Sequence, residues 1–266
     1  MQEIRVFNEY GKDLDQRLRL RSLPLGVKLL TSEKEIPEGA KRPKRDFGYH
    51  LAACQCFYTL RSRYSQDMSI AMLKEDMWCP EAVVGYGMAK VPEYFLEGHT
   101  RFPAVVSSLE AGKNWAHAFP RLEPGKFIGI LAARLSTAEF EPDVALIYCN
   151  SAQLRALLQA AAWETGKDPV CRMSAAGACV YGVVPSIQSG ECHVAVPCTG
   201  DRKWAMAQDD EMIFSIPKRK MEGLMKAFRY FDSHGRPAAP HPRLMPEYEL
   251  EDSYAKTAKM MGMEID

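Results

Sequence analysis

The stretch PDVALIYCNSAQLRALLQAAAWE, residues 142–164, places two secondary-structure elements in direct succession. The apolar run after Pro142 predicts a buried strand that ends at Cys149. Asn150 or Ser151 then offers a side-chain oxygen of the kind that caps a helix, and the alanine- and leucine-rich residues that follow predict that helix. A buried strand joined to a capped helix indicates a sheet with helices packed against it.

The same two kinds of pattern extend outward from this stretch in both directions. Further strands are predicted at LGVKLL (25–30), MSIAML (68–73), GKFIGILAARL (125–135), ECHVAVPC (191–198) and DEMIFSI (210–216), and further helices at 8–21, 49–64 and 218–231. Because strands and helices interleave, the fold class is predicted as α/β to α+β. We divide the chain into an N-terminal helix (1–22), a first half (23–135), a second half (136–233) and a C-terminal tail packed on the surface (234–266).

The composition narrows the class of protein. The chain has 266 residues, of which 47% are hydrophobic, and its 34 basic and 34 acidic residues give a formal net charge of zero. A neutral chain argues against binding nucleic acid through a broad positive face. The charged N-terminus does not resemble a signal peptide, and no apolar run is long enough for a transmembrane helix. These features predict a cytoplasmic protein that does not bind a membrane, and they leave a homo-oligomer open.

Eight cysteines then require an explanation. They are Cys54, Cys56, Cys79, Cys149, Cys171, Cys179, Cys192 and Cys198. Disulfides are disfavoured in a reducing cytosol, and a chain of this length does not need them. The remaining explanations are buried free thiols, a reactive thiol or metal ligands.

Two segments that contain cysteines resemble each other. ACQCFYTLRSRYSQDMSIAMLKEDMWCPE (53–81) and AAGACVYGVVPSIQSGECHVAVPCTGD (175–201) both begin with small residues and a cysteine, pass through a strand, and end with a cysteine at a turn. The match is short, and chance similarity is the alternative. If the repeat is real, two related halves would pack about a pseudo-two-fold axis and bring four thiols together. Four thiolates suit a tetrahedral zinc or an iron–sulfur cluster.

The spacing of Cys54 and Cys56 allows only one of them to join such a site. Residues two apart on a helix point about 200° away from each other. The repeat favours Cys56, with Cys54 as the alternative. Arg202 follows Cys198 in CTGDR and could offset the negative charge of a cluster or hold a carboxylate, with a surface ion pair between Asp201 and Arg202 as the simpler interpretation.

Several of these motifs occur together in one known family. PLGVKLL, a cysteine opening a helix, WCPEA, PDVALIY with NSAQ, GACVYG and PCTGDR occur in an order that resembles the domain-of-unknown-function 169 family of uncharacterised bacterial and archaeal proteins, also labelled ArCR. The resemblance extends from about Leu23 to Phe228. It implies paired cysteines at Cys54 or Cys56, Cys79, Cys179 and Cys198, and it implies no activity.

The favoured hypothesis is an iron–sulfur protein. The cluster would be held by Cys56 (or Cys54), Cys79, Cys179 and Cys198. A 4Fe-4S cluster is favoured over a zinc ion, because the chain lacks the CxxC pairs of structural zinc sites. The role would be redox chemistry or electron transfer in an anaerobic setting, as a possible oxidoreductase, with a redox partner protein and a small anionic substrate near Arg202. The alternative is a metal-free ligand-binding or regulatory module whose cysteines pack the core, with a pocket near Tyr58, Trp78, Tyr181 and Trp204. A single nucleophilic Cys79 is a third hypothesis.

Overall fold

The computed structural model describes residues 2–236, residue 238 and residues 251–263. One six-stranded sheet forms its centre. The strands are β1 (Leu25–Leu30), β2 (Ile70–Leu73), β3 (Gly129–Arg134), β4 (Val144–Cys149), β5 (His193–Ala195) and β6 (Met212–Pro217). They lie in the order β2-β3-β1-β4-β6-β5, and all of these pairings are antiparallel.

Helices cover the sheet on both sides. The helices of the described residues are α1 (Gln2–Leu18), α2 (Ala53–Arg61), α3 (Pro80–Gly85), α4 (Glu93–Leu96), α5 (Leu109–Ala118), α6 (Ser151–Ala162), α7 (Ala178–Tyr181), α8 (Val184–Ser189), α9 (Thr199–Trp204), α10 (Lys218–Ser233) and α11 (Asp252–Met260). Because each face of the sheet is covered, a central strand is apolar along its whole length and does not alternate with polar residues.

Strand β4 separates the two layers of the core. Val144, Leu146 and Tyr148 point to the front layer, which also contains side chains of α2, α3, α5 and α7. Ala145 and Ile147 point to the back layer, where α1, α6 and α10 pack. Successive strand residues face opposite sides of a sheet, so this one strand contributes to both layers.

The back layer joins the N-terminal helix to the second half of the chain. In α10, Met221, Leu224, Met225 and Phe228 recur at helical spacing and are buried, as expected for the apolar stripe of a helix on a sheet. The guanidinium of Arg17 in α1 lies 5.6 Å from the ring centre of Phe228. Phe7, Leu14 and Leu18 of α1 are buried in the same layer, so this helix packs against the second half of the chain.

The structure confirms a mixed helical and antiparallel fold, which corresponds to the α+β part of the predicted class. The strand predicted for residues 191–198 is shorter than expected, since β5 ends at Ala195. A strand that continued to residue 198 would place Cys192 and Cys198 on one face of the sheet. Instead, Cys192 lies in the back layer and Cys198 packs against the front layer. The predicted tail includes α11, but residues 237, 239–250 and 264–266 lie outside the described residues.

Within the described part of the chain, none of the helices combines the length and the apolar character that a membrane span requires.

Candidate functional site

Four cysteines lie at the beginnings of four helices in or beside the front layer. Cys79 is the residue that precedes α3, and Cys198 is the residue that precedes α9. Cys54 and Cys179 are the second residues of α2 and α7. Helix α2 packs on α9 and on α7, and α3 packs on α7. We call Cys54, Cys79, Cys179 and Cys198 the four-thiol site.

The pKa values of these residues depend on one another, which places the four side chains within electrostatic range. Burial raises the pKa of Cys54, and negative charge on Asp201, Cys198 or Cys79 would raise it further. Burial also raises the pKa of Cys179 well above its ordinary value, and charge on Cys54, Cys79, Asp201 or Cys198 adds to that effect. Without a cation among them, these thiols are therefore protonated at neutral pH.

Backbone amides near the sulfur atoms act in the opposite direction. Burial raises the pKa of Cys198, but the amides of Ala178, Asp201 and Gly200 partly offset this. Burial likewise raises the pKa of Cys79, and the backbone amides of Ala82 and Glu81 oppose this rise. Amide groups directed at a sulfur stabilise its thiolate form, because they place partial positive charge beside it.

Cys56 differs from Cys54 in its surroundings. It is fully buried in the front layer, and burial alone raises its pKa, with no contribution from any other cysteine. Cys54 instead packs with Ala52 and Ala205, and Cys79 lies against this small group. The two cysteines of ACQC thus point in different directions, as the helical spacing predicts, and the one near the other three thiols is Cys54.

Asp201 connects the site to a buried polar network. The Cys198 Sγ donates to Asp201 Oδ2 at 3.4 Å, and the Tyr148 hydroxyl donates to Asp201 Oδ1 at 3.0 Å. Burial raises the pKa of this carboxyl, against the hydrogen bonds from Tyr148 and Cys198 and the charge of Arg61. The Arg61 guanidinium lies 4.0 Å from the Tyr148 ring centre. Asp201 is therefore a buried acid beside Cys198.

Arg61 is itself held by groups from distant parts of the sequence. It donates to Glu211 Oε1 at 3.2 Å, to Ser22 Oγ at 3.2 Å and to the carbonyl oxygen of Ala205 at 3.3 Å. Both Arg61 and Glu211 are almost fully buried. This ion pair fixes the end of α2 against the segment that precedes β6.

Two tryptophans lie beside the site at the protein surface. The rings of Trp78 and Trp204 meet edge to face with their centres 5.1 Å apart, and they are 43% and 44% exposed. The Trp78 Nε1 donates to Gln55 Oε1 at 2.9 Å. Trp204 also packs over Gly200, where an added Cβ would lie 3.3 Å from the ring and 3.5 Å from Cys198 Sγ. The tryptophan pair therefore covers the side of the site where Cys198 lies.

Of the other residues predicted for the site, Tyr58 packs against the small group that contains Cys54, whereas Arg202 and Tyr181 lie elsewhere. Arg202 is at the surface, where its Nη1 donates to Asp209 Oδ1 at 2.6 Å. The expected pair between Asp201 and Arg202 does not form, because Asp201 turns inward to Tyr148 and Cys198. Tyr181 is buried against Phe119 and so does not share a wall with the exposed tryptophans.

Asp201, Tyr148 and Arg61 were not predicted as neighbours of the thiols. Asp201 had a local signal. It lies in the first turn of α9, three residues after Cys198, where an acidic side chain commonly interacts with the backbone amides of the helix start. Tyr148 and Arg61 had none, because their positions follow from the pairing of distant segments. Among the described residues, no group of three or more His, Cys, Asp or Glu side chains is arranged to hold a metal ion.

Comparisons with known proteins agree with the resemblance seen in the motifs. An uncharacterised protein of the archaeon Methanocaldococcus jannaschii is 20% identical over 232 residues, which cover 86% of this chain and 96% of that protein. No solved structure matches the chain. The profile of the domain-of-unknown-function 169 family, described as uncharacterised ArCR, matches residues 13–227. Since this match covers most of the chain and includes all four helix-starting cysteines, the protein belongs to the domain-of-unknown-function 169 family.

Proposed function

We propose that the protein binds an iron–sulfur cluster of the 4Fe-4S type at the four-thiol site and uses it to transfer electrons. The observation that supports this proposal is the grouping of Cys54, Cys79, Cys179 and Cys198, which come from four separate segments of the chain. Four cysteine thiolates are the ordinary ligand set of such a cluster.

The surroundings of the thiols favour a bound cation over four isolated thiolates. Buried thiolates next to Asp201 would repel one another, whereas the irons of a cluster would attract each of them. The amides of Ala178, Gly200 and Asp201 near Cys198 would withdraw negative charge from its sulfur. They would therefore raise the reduction potential of a bound cluster.

Ligand geometry distinguishes a cluster from a single zinc ion. Four sulfurs on one zinc, each bonded at about 2.3 Å, would be roughly 3.8 Å apart. No described group of side chains meets the requirement for a single ion. A cluster carries each cysteine on a different iron and so accepts more widely separated sulfurs.

The order of the strands supports the idea of two related halves. The sheet order is β2-β3-β1-β4-β6-β5. If β1, β2 and β3 correspond to β4, β5 and β6, each strand lies opposite its counterpart on the two sides of the central β1–β4 pairing. The helix contacts behave in the same way, because α2 packs on α9 as α7 packs on α3. A pseudo-two-fold axis through the β1–β4 pairing would then relate Cys54 to Cys179 and Cys79 to Cys198.

Full cysteine ligation points to electron transfer and away from substrate binding at iron, because four cysteines leave no iron with an open position. The exposed pair of Trp78 and Trp204 offers a surface for a redox partner protein. Arg202 next to it, on the exposed side, would bind an acidic group of that partner or a small anionic substrate. The eight free cysteines fit a reducing, cytoplasmic and anaerobic setting.

Anaerobic reconstitution tests the proposal. The full chain is incubated with iron, sulfide and reductant, desalted, and analysed for iron, sulfide and visible absorbance. We expect about four irons and four sulfides per chain. Replacement of Cys54, Cys79, Cys179 or Cys198 by Ala should reduce this content strongly.

Cys56→Ala is the matched control, because Cys56 lies two residues from Cys54 on the same helix but points into the core. It should retain the cluster. A wild-type chain that stays colourless and free of iron after reconstitution would overturn the proposal. Loss of the cluster in Cys56→Ala but not in Cys54→Ala would assign the ligand to Cys56.

A second candidate function is a metal-free binding or regulatory module. The absence of a metal-ion group within the described ranges favours it, as does the burial of Cys54 and Cys179. In this case the cysteines act as small apolar side chains. Alkylation separates the two functions: cluster ligands become reactive when a chelator removes iron, whereas core thiols react at the same slow rate with and without the chelator.

A further inference from the structure

Two cysteines outside the four-thiol site lie beside each other in the back layer. Cys192 is buried there just before β5, and Cys171, in the connection between α6 and α7, packs against the same layer. Neither residue is a neighbour of the site described above, and nothing in the proposed function uses them.

The edge of the sheet brings these two cysteines together. Strand β5 lies at the end of the sheet and pairs with β6 on one side. On its open side, the backbone N–H of Val194 donates to Cys171 Sγ at 3.2 Å. Cys192 is two residues before Val194, and residues two apart on an extended chain share a face. The Cys171 sulfur is therefore hydrogen-bonded to the edge strand two residues from Cys192, close enough that negative charge on Cys171 would raise the pKa of Cys192.

The two cysteines differ in exposure, so that a peroxide would reach Cys171 first and Cys192 would react second. Cys171 is half-buried, whereas Cys192 is 6% exposed and lines a cavity of ≈ 420 Å³ between α6 and α10. The Val194 N–H favours the thiolate of Cys171 and so opposes the rise in its pKa that burial causes. The charge of Lys220, on the wall of the same cavity, acts similarly on Cys192.

We infer that Cys171 and Cys192 form a reversible intramolecular disulfide when the protein meets a peroxide. The Cys171 thiolate attacks one peroxide oxygen, the O–O bond breaks, and a sulfenic acid and one water form. The Cys192 thiolate then attacks the Cys171 sulfur, the S–O bond breaks, and a second water leaves. In total, two thiols lose two electrons and two protons, and hydrogen peroxide becomes two waters.

The bond would fasten the connection from α6 to α7 onto the edge strand. That connection leads directly into Cys179, and β5 leads towards Cys198. The disulfide would thus link the segment that precedes Cys179 to the segment that precedes Cys198. Its existence does not depend on whether those thiols bind a cluster.

Peptide mapping without reduction tests this inference. The reduced full chain is treated with hydrogen peroxide in slight excess, remaining thiols are alkylated, and the protein is cut with trypsin and a glutamate-specific protease. The sequence predicts the fragments DPVCR (168–172) and CHVAVPCTGDR (192–202). We expect them joined, with a mass two hydrogens below their sum, and tandem mass spectrometry should place the bond on Cys192 and not on Cys198.

Three variants make the result decisive. Cys192→Ala should abolish the linked pair and leave Cys171 as a sulfenic or more oxidised form, whereas Cys198→Ala should retain the link. Cys149→Ala, at another buried back-layer thiol, should also retain it. The inference is overturned if DPVCR is recovered unlinked and alkylated from the wild type, or if it is linked to Cys198 or to a second chain.

Discussion

The two cysteines of α2 show that the position of a residue on a helix determines its neighbours. Cys54 and Cys56 have the same side chain and lie two residues apart, yet one is beside Cys79 and Cys198 and the other is in the apolar core. The helix begins at Ala53 with Ala52 before it, and neither residue has a capping side chain. The start of α2 is marked only by Gln55, whose Oε1 accepts from the Ala52 N–H at 2.9 Å. Helical spacing predicts that the two cysteines point apart, but it does not say which of them lies near the other thiols.

The buried ion pair of Arg61 and Glu211 is a second feature that depends on single residues. In Glu211→Gln, Arg61 would keep its charge in a buried place without a counter-charge. Breaking one partner of such a pair costs about 3 kcal/mol or more, so the unfolding free energy should fall by about that amount. Urea denaturation monitored by circular dichroism measures the loss.

The surface pair of Arg202 and Asp209 provides the control for that change. Asp209 is fully exposed, so Asp209→Asn should leave the unfolding curve unchanged. The double variant Arg61→Met/Glu211→Gln should lose less than the sum of its two single changes, because it removes both charges. Equal stability of Glu211→Gln and the wild type would show that the pair does not contribute.

At the scale of elements, the start of α6 is held by a reciprocal cap. Asn150 Oδ1 accepts from the Gln153 N–H at 2.9 Å, and Gln153 Oε1 accepts from the Asn150 N–H at 2.8 Å. Asn150→Ala should therefore lower the unfolding free energy by about 1 kcal/mol. Ser151→Ala, one residue further at an exposed position, is the control and should change it little. Thermal or urea unfolding of both variants would show the difference.

The contact between α3 and α7 depends on a residue without a side chain. A Cβ added at Gly85 would collide with both methyl groups of Val180. Gly85→Ala should separate the two helices and lower stability by about 1–3 kcal/mol. Because α3 and α7 carry Cys79 and Cys179 at their starts, the variant should also reduce the iron content after reconstitution. Gly39→Ala meets no atom within 4 Å and is the control for both measurements.

Sequence patterns predicted the elements better than their ends. All six strands and the helices at α1, α2, α6 and α10 were expected from apolar patterns, which depend on local sequence and on burial. The end of β5 at Ala195 was not, because Val196 continues the alternating pattern although the chain turns away there. That end determines on which layer Cys198 lies, so an error of three residues changes the predicted neighbours of a thiol.

At the scale of the whole molecule, the position of Asp143 links stability to pH. Its Oδ2 accepts from the Leu29 N–H at 2.8 Å, its own N–H donates to the carbonyl of Val27, and its carbonyl accepts from the Lys218 N–H. It thus connects β1 to the start of α10. Burial raises the pKa of this carboxyl, although the bond from Leu29 and the charges of Lys28 and Lys218 oppose the rise.

A carboxyl with a raised pKa destabilises the folded state where it is ionised. This effect is absent below the pKa of the unfolded chain and develops as the pH rises through the pKa of the folded protein. Asp143→Asn should remove it, so the stability of the variant relative to the wild type should be greater at neutral pH than at acidic pH. Urea unfolding at a series of pH values measures this difference.

Asp210 should behave in the opposite way. Its hydrogen bond from Arg21 lowers the pKa of that carboxyl, so its contribution is present at neutral pH and is lost as the pH falls through the folded value. Because this ion pair is exposed to solvent, Asp210→Asn should be only slightly less stable than the wild type at neutral pH and equal to it in acid. A pH profile for Asp143→Asn parallel to that of the wild type would contradict the role given to Asp143.

The short pairing at the centre of the sheet suggests that the polypeptide could be made in two pieces. Strands β1 and β4 share only three residue pairs, Leu25 with Leu146, Gly26 with Ala145 and Val27 with Val144, whereas β1 with β3 and β4 with β6 share six each. Each piece of a chain cut between β3 and β4 would retain its own three-stranded sheet. The first piece would still supply α1 to the back layer of the second. Two co-expressed fragments should thus recognise each other and restore the uncut molecule without a covalent link between them.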